Sequence, residues 1–380
     1  MTSSLRAQLD QSASRRLLDL FAEQGQSPWI DNLTRDMVHD GDLAALIEHG
    51  IRGLTSNPSI FQKAMTTSSA YDADWARLRA AGLSAADAYW ELVIADIADA
   101  LRVFAPLAAS SGGLDGHVSV EVAPALAHET DATIAAALDL RDRVLAAYGA
   151  AAPHLLIKVP ATSAGVAAIR DLLTRGVSVN VTLIFGLERY AEVIDAYLAA
   201  LGDRHARGES IADISSVASF FVSRVDTEID ARLHTRGRGD LAGRAAVAQA
   251  QAAYELFSQR FSGPAWDRLA AAGARVQRPL WASTSTKNPD YPDTLYVDSL
   301  IGAHTVNTLP DATVAAFADH GTVARTIDTD LARAKATLAD LAAAGIDFSD
   351  VATVLEAQGV AAFEKSFDDL LDALSAKASD

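Results

Sequence analysis

Eight short apolar runs, separated by longer amphipathic stretches, constrain this chain more than any other feature. They fall at residues 27–33, 51–55, 117–122, 154–162, 177–185, 214–222, 279–283 and 304–308. Each has strand length and strand composition, and Pro160 and the Asn57-Pro58 pair end two of them. Helices are predicted over 5–24, near 40–49 up to Gly50, in two or three pieces over 57–103, over 129–148, along the Ala-rich stretch 223–272, and near 328–343 and 349–376. Strand and helix alternating eight times is the pattern of a (β/α)8 TIM barrel, with parallel strands buried on both faces. An open doubly wound sheet would want a Gly-rich phosphate turn after the first strand, and none is there. No Pro/Ser-rich linker divides the sequence. Residues 1–380 are therefore assigned to one barrel domain: an N-terminal helix at about 5–24, the barrel at about 28–320, and C-terminal helices at about 328–376.

Side chains on a strand alternate faces. In the fifth run Val177, Val179, Val181 and Leu183 share one face, and Ser178, Asn180 and Thr182 the other. In the third, Val118, Val120 and Val122 oppose Ser119 and Glu121; in the fourth, Leu155, Ile157 and Val159 oppose Leu156 and Lys158. The aliphatic face suits packing under helices. The other face then points into the barrel and carries Glu121, Lys158, Asn180 and Thr182 towards the strand C-termini, where barrel enzymes keep their chemistry. Asp31 and Asn57 end the first two strands at the same mouth, joined by Ser219, Arg224 and Ser283 from strands six and seven.

Lys158 stands out because lysine is scarce. Only six of the 32 basic residues are lysine, at 63, 158, 287, 335, 365 and 377. Arginine cannot be deprotonated to attack a carbonyl, whereas a desolvated lysine can. Lys158 is thus a candidate Schiff-base nucleophile; a barrel lysine paired structurally with Glu121 is the alternative. Lys287, in a polar loop, is expected to stay wet, to keep a high pKa and to serve better as a phosphate ligand. Arg224, at the start of a predicted helix, is a further anion-binding candidate; pairing with Asp226 or Glu228 is its alternative.

The chain has no cysteine, which excludes disulfides and thiolate chemistry and suits a reducing cytosol. Its nine histidines are scattered without a metal-ligand spacing, so no metal is expected. A formal charge of −17 argues against nucleic acid or an anionic membrane as partner. Neither a signal peptide nor a membrane-spanning run is found in the sequence.

Six motifs occur in order: Thr55-Ser56-Asn57-Pro58-Ser59, Ser119-Val120-Glu121-Val122, Leu156-Ile157-Lys158-Val159-Pro160, Asn180-Val181-Thr182-Leu183, Trp281-Ala282-Ser283-Thr284 with Lys287-Asn288-Pro289, and Asp293-Thr294-Leu295-Tyr296. Together they resemble transaldolase in its longer, actinobacterial form, over about residues 28–376. The resemblance implies a class I, Schiff-base barrel of the pentose phosphate pathway. Such an enzyme is expected in the cytoplasm, needs no cofactor and is open to homo-oligomerisation. It would move a dihydroxyacetone unit from sedoheptulose 7-phosphate or fructose 6-phosphate to glyceraldehyde 3-phosphate or erythrose 4-phosphate.

By resemblance, Lys158 forms the imine and Asp31 takes the hydroxyl proton as the carbon–carbon bond breaks. Glu121 and Thr182 hold a proton-shuttling water, Asn57 and Asn180 bind substrate hydroxyls, and Ser219, Arg224 and Ser283 bind phosphate. Where many members of that family have Ser-Phe-Arg after strand seven, the chain reads Ser283-Thr284-Ser285-Thr286-Lys287, with Lys287 the candidate replacement for that arginine. The rival readings are a Schiff-base aldolase that releases free dihydroxyacetone, and an inactive barrel that only binds sugar phosphates.

Overall fold

A computed structural model describes residues 5–11, 15–152 and 154–377. Eight strands close into a barrel in chain order: β1 Gln26–Ile30, β2 Gly53–Thr55, β3 His117–Glu121, β4 Leu155–Pro160, β5 Val179–Ile184, β6 Ser216–Phe221, β7 Arg278–Ala282 and β8 Thr305–Leu309. Every neighbouring pair is parallel, including β1 with β8. The outward parity is as expected: Val118, Val120, Ile157, Val159, Val179 and Val181 are buried beneath the helical ring. Inside, Asn180 donates to Ser119 Oγ (3.1 Å) and accepts from Ser219 Oγ (2.7 Å), a polar layer spanning three strands.

Several elements differ from expectation. The N-terminal helix is described as Leu5–Gln11 and Arg16–Gln24, and the part of the expected helix at 12–14 lies outside the described residues. The helix expected near 40–49 is present as Asp42–Glu48, and a further short helix, Arg35–His39, precedes it across Gly41 at φ 80°. The stretch 223–272 is three helices, Ser223–Thr235, Ala245–Arg260 and Gly263–Ala271. Gly237 (φ 68°) and Gly243 (φ 71°) break the first from the second, since helical backbone needs negative φ. Helices Ser163–Thr174, Leu187–Ala206 and Asp311–His320 occupy stretches that the pattern left without a helix, although parallel neighbouring strands require a crossover there.

β5 departs from strict alternation after Thr182. Val181 pairs with Ala218 and Ile184 with Phe220, so β5 carries one extra residue, a bulge. Leu183 absorbs it with φ 58°. Leu183 therefore does not continue the Val177–Val181 face. It packs against the C-terminal helix Phe348–Lys377, where a Cβ on Gly359 would lie 2.9 Å from its Cδ2. That helix reaches the barrel mouth, anchored in part by Ser59 Oγ to Ser366 Oγ at 2.7 Å.

The opposite end of the barrel is plugged. Asp115 accepts from Arg52 Nε (2.6 Å) and from both terminal nitrogens of Arg278 (3.2 Å each). Arg278 also donates to Ser27 Oγ at 2.9 Å. Trp29 fills the space beside this cluster, and Gly53 must be glycine because a Cβ there would come within 2.5 Å of the indole. The barrel is thus closed below and open only at the strand C-termini.

Candidate active site at the barrel mouth

Strand register brings the key groups together. Glu121 pairs with Lys158, and Lys158 with Asn180, across β3, β4 and β5. Because paired residues on adjacent strands point to the same face, Glu121 and Lys158 meet inside the barrel. Lys158 Nζ lies 2.9 Å from Glu121 Oε2 and donates to the Ser56 carbonyl at 3.2 Å. Both side chains are buried. The contact to Glu121 is an ion pair without hydrogen-bond alignment, and neither Glu121 oxygen nor the Thr182 hydroxyl has a hydrogen-bond partner among the described residues. Burial pushes the Glu121 carboxyl above its ordinary pKa, against the pull of Lys158. Asp31 lies just past β1, and Thr55 Oγ1 donates to its Oδ1 at 2.7 Å. Thr55 Oγ1 is also 2.6 Å from Thr308 Oγ1, which links β1, β2 and β8. Burial raises the Asp31 pKa as well, with Lys158 and the Thr55 hydroxyl opposing it.

Eight of the ten residues singled out from the sequence line one cavity of about 140 Å³: Asp31, Asn57, Lys158, Thr182, Ser219, Arg224, Ser283 and Lys287. Glu121 and Asn180 stand behind the lining, reached through Lys158 and Ser219. Asn57 also works for the fold. Its Oδ1 caps the helix Pro58–Thr67 by accepting from Ile60 N (3.0 Å), leaving its amide NH2 as the donor for any ligand. Asn180 is hydrogen-bonded at both ends of its amide, so it braces Ser219 from below.

Arg224 and Lys287 form the cationic side of the cavity. The acidic neighbours considered for Arg224 are engaged elsewhere: Asp226 accepts from Tyr296 Oη (2.8 Å) and Glu228 pairs with Arg232 (2.7 Å). The Arg224 guanidinium carries no salt bridge among the described residues and lies 5.4 Å from the Phe221 ring centre. Burial holds its pKa below the ordinary arginine value. Lys287 is exposed, as expected, and donates to Ser285 Oγ at 2.7 Å. Its pKa, expected to stay high, is instead lowered, first by partial desolvation in the pocket and then by the like charge of Arg224. Ser283, at φ 55°, turns the chain out of β7 and faces Ser223 Oγ at 2.9 Å.

Sequence reasoning missed Thr55, Thr308, Phe221, Ser285 and Phe363, which also line the cavity. Thr55 and Thr308 were findable, since both sit on strands, each with a hydroxyl that a buried position must satisfy. Phe363 carries no such signal. It comes from the C-terminal helix and puts its ring centre 5.6 Å from Lys158 Nζ. Among the described residues no group of three His, Asp or Glu side chains is placed to hold a metal, and no helix is long and apolar enough to cross a membrane.

A buried lysine beside a carboxylate lies at one side of the cavity, and Arg224 and Lys287, neither in a salt bridge among the described residues, lie at the other, an arrangement of the kind found in barrel enzymes that act on phosphorylated carbonyl compounds. The family model for transaldolase/fructose-6-phosphate aldolase matches residues 28–374, and the chain belongs to that family. It is similar to a transaldolase of Parafrankia sp., 48% identical over 366 residues, which covers 95% of this chain and 97% of the relative. It is also similar to transaldolase 1 of Streptomyces avermitilis (47% identity, 94% of each chain) and to a transaldolase of Mycolicibacterium smegmatis (48%, covering 94% and 96%).

Proposed function

We propose that the chain acts as a transaldolase of the pentose phosphate pathway with Lys158 as its imine-forming amine. The observation that carries the residue assignment is the pairing, in one cavity, of a buried amine beside Glu121 with a cationic Arg224–Lys287 corner. A ketose phosphate has a carbonyl near one end and a dianion at the other, and it matches both.

Lys158 passes a proton to Glu121 and attacks the ketose C2. The carbinolamine hydroxyl leaves as water, with protons relayed between Glu121, Thr182 and a water held by them. The unpartnered oxygens of Glu121 and Thr182 supply the free hydrogen-bonding positions for such a water. The protonated imine then accepts the electron pair of the C3–C4 bond, so no metal is needed as electron sink. Asp31 takes the C4 hydroxyl proton as the aldose phosphate departs. The enamine left on Lys158 adds to the acceptor aldehyde, Asp31 returns the proton, and hydrolysis frees the product. Asn57 binds substrate hydroxyls. Ser219, braced by Asn180, serves the interior of the cavity, while Ser283, Arg224 and Lys287 hold phosphate. The activity belongs in the cytoplasm, which a cysteine-free chain suits.

The test is product analysis with fructose 6-phosphate, with and without erythrose 4-phosphate. Sedoheptulose 7-phosphate formed only with the acceptor is the expected result. Free dihydroxyacetone released at an equal rate without acceptor would make the chain an aldolase instead.

A further inference from the structure

Arg224 and Lys287 are cations that share a partly desolvated corner. Left to themselves they repel, and Lys287 sits on a loop, residues 283–294, that could relax outward. The loop is fastened at both ends to the one helix that carries Arg224, Ser223–Thr235. At the near end Ser223 N donates to the Ser283 carbonyl at 3.0 Å. One turn along the helix, Asp226 accepts from Tyr296 Oη (2.8 Å) and from Ala246 N (2.8 Å). One turn further, Asp230 accepts from Tyr291 Oη (2.6 Å) and from Gly243 N (2.9 Å). Asp226 and Asp230 are both buried, and each ties the Arg224 helix to the start of the helix Ala245–Arg260 or the glycine just before it; Asp230 also holds Tyr291 at the far end of the Lys287 loop, and Asp226 holds Tyr296 in the short helix Leu295–Asp298 that follows the loop. Gly243 belongs to the same device, since a Cβ there would stand 2.7 Å from the Tyr291 ring.

We propose that Asp226 and Asp230, acting through Tyr296 and Tyr291, are positioning residues that hold Lys287 beside Arg224 and so set the enzyme's preference for phosphorylated over unphosphorylated sugars. This rests on reading the Arg224–Lys287 corner as the phosphate site. The carboxylates touch no substrate. They keep two like charges close before the dianion arrives, so that ordering the loop is not charged against binding. The Asp226 carboxyl, raised by burial to about pKa 6, is a costly group to keep there unless it holds something in place.

The experiment compares wild type, Tyr291→Phe, Asp230→Asn and Arg224→Ala on fructose 6-phosphate and on unphosphorylated fructose, with inorganic phosphate as competitive inhibitor. Tyr291→Phe keeps the ring of a half-buried residue, and Asp230→Asn keeps an acceptor for Gly243 N, so both retain the packing. Expected for both is a fall of about tenfold in kcat/KM for fructose 6-phosphate. The fall should come mainly through KM, with a parallel rise in the phosphate inhibition constant and fructose turnover unchanged. No change, or equal losses on both sugars, would overturn the clamp. Arg224→Ala separates the two claims. If it loses activity selectively on the phosphorylated sugar while the clamp variants do not, only the clamp fails. If Arg224→Ala is also unselective, the phosphate reading falls with it.

Discussion

Glu121 and Lys158 meet because β3 and β4 pair in a register that sets the two residues side by side on the interior face. Asp31 arrives from the first strand and is held by a threonine pair rather than by a cation. Both carboxyls are shifted upward by burial, but only Glu121 touches the amine. That difference divides their work. Asp31→Asn keeps the Thr55 contact and should still form a trappable adduct with fructose 6-phosphate, while turnover falls by roughly 10²–10⁴-fold, the range for a lost general acid–base group. Loss of the adduct together with turnover would show that Asp31 serves imine formation too. Strand alternation made Glu121, Lys158 and Thr182 legible in the sequence, since polar side chains on one parity of apolar strands have only the barrel interior to face. It failed at Leu183, because a bulge inserts a residue that no periodicity announces. It was also silent on Phe363 and on the Thr55–Thr308 contact, which join segments far apart in the chain.

At the scale of elements, the strands were readable and the helices less so. Apolar runs bounded by Gly and Pro mark parallel strands plainly, whereas the breaks within 223–272 depend on two glycines whose positive φ the sequence only permits. The barrel's lower end shows what the polar residues of strand starts are for. His117, at the start of β3, is buried there, its ring 5.8 Å from that of Trp29. Burial first, and the charge of Arg278 second, lower its pKa from 6.5 to about 3. The native state therefore refuses a proton that the unfolded chain accepts below pH 6.5. Its contribution is complete above that pH and is lost as pH falls towards 3, at about 1.4 kcal/mol per unit. Urea unfolding at pH 7 and pH 5 should show the loss for wild type exceeding that for His117→Gln by about 2 kcal/mol. Equal losses would mean that His117 is protonated in the native barrel.

For the molecule as a whole, a net charge of −17 opposes the approach of a dianionic sugar phosphate, and the Arg224–Lys287 corner reverses the field only locally. The barrel confines that corner, the amine and the two carboxyls to one mouth, with the C-terminal helix bringing Phe363 to its lining. Everything in this arrangement turns on Lys158. The direct measurement is borohydride reduction in the presence of fructose 6-phosphate, followed by peptide mapping by mass spectrometry. A reduced dihydroxyacetone or ketose adduct on Lys158, absent in Lys158→Arg, is the predicted result. An adduct on Lys287, or turnover that survives in Lys158→Arg, would contradict it.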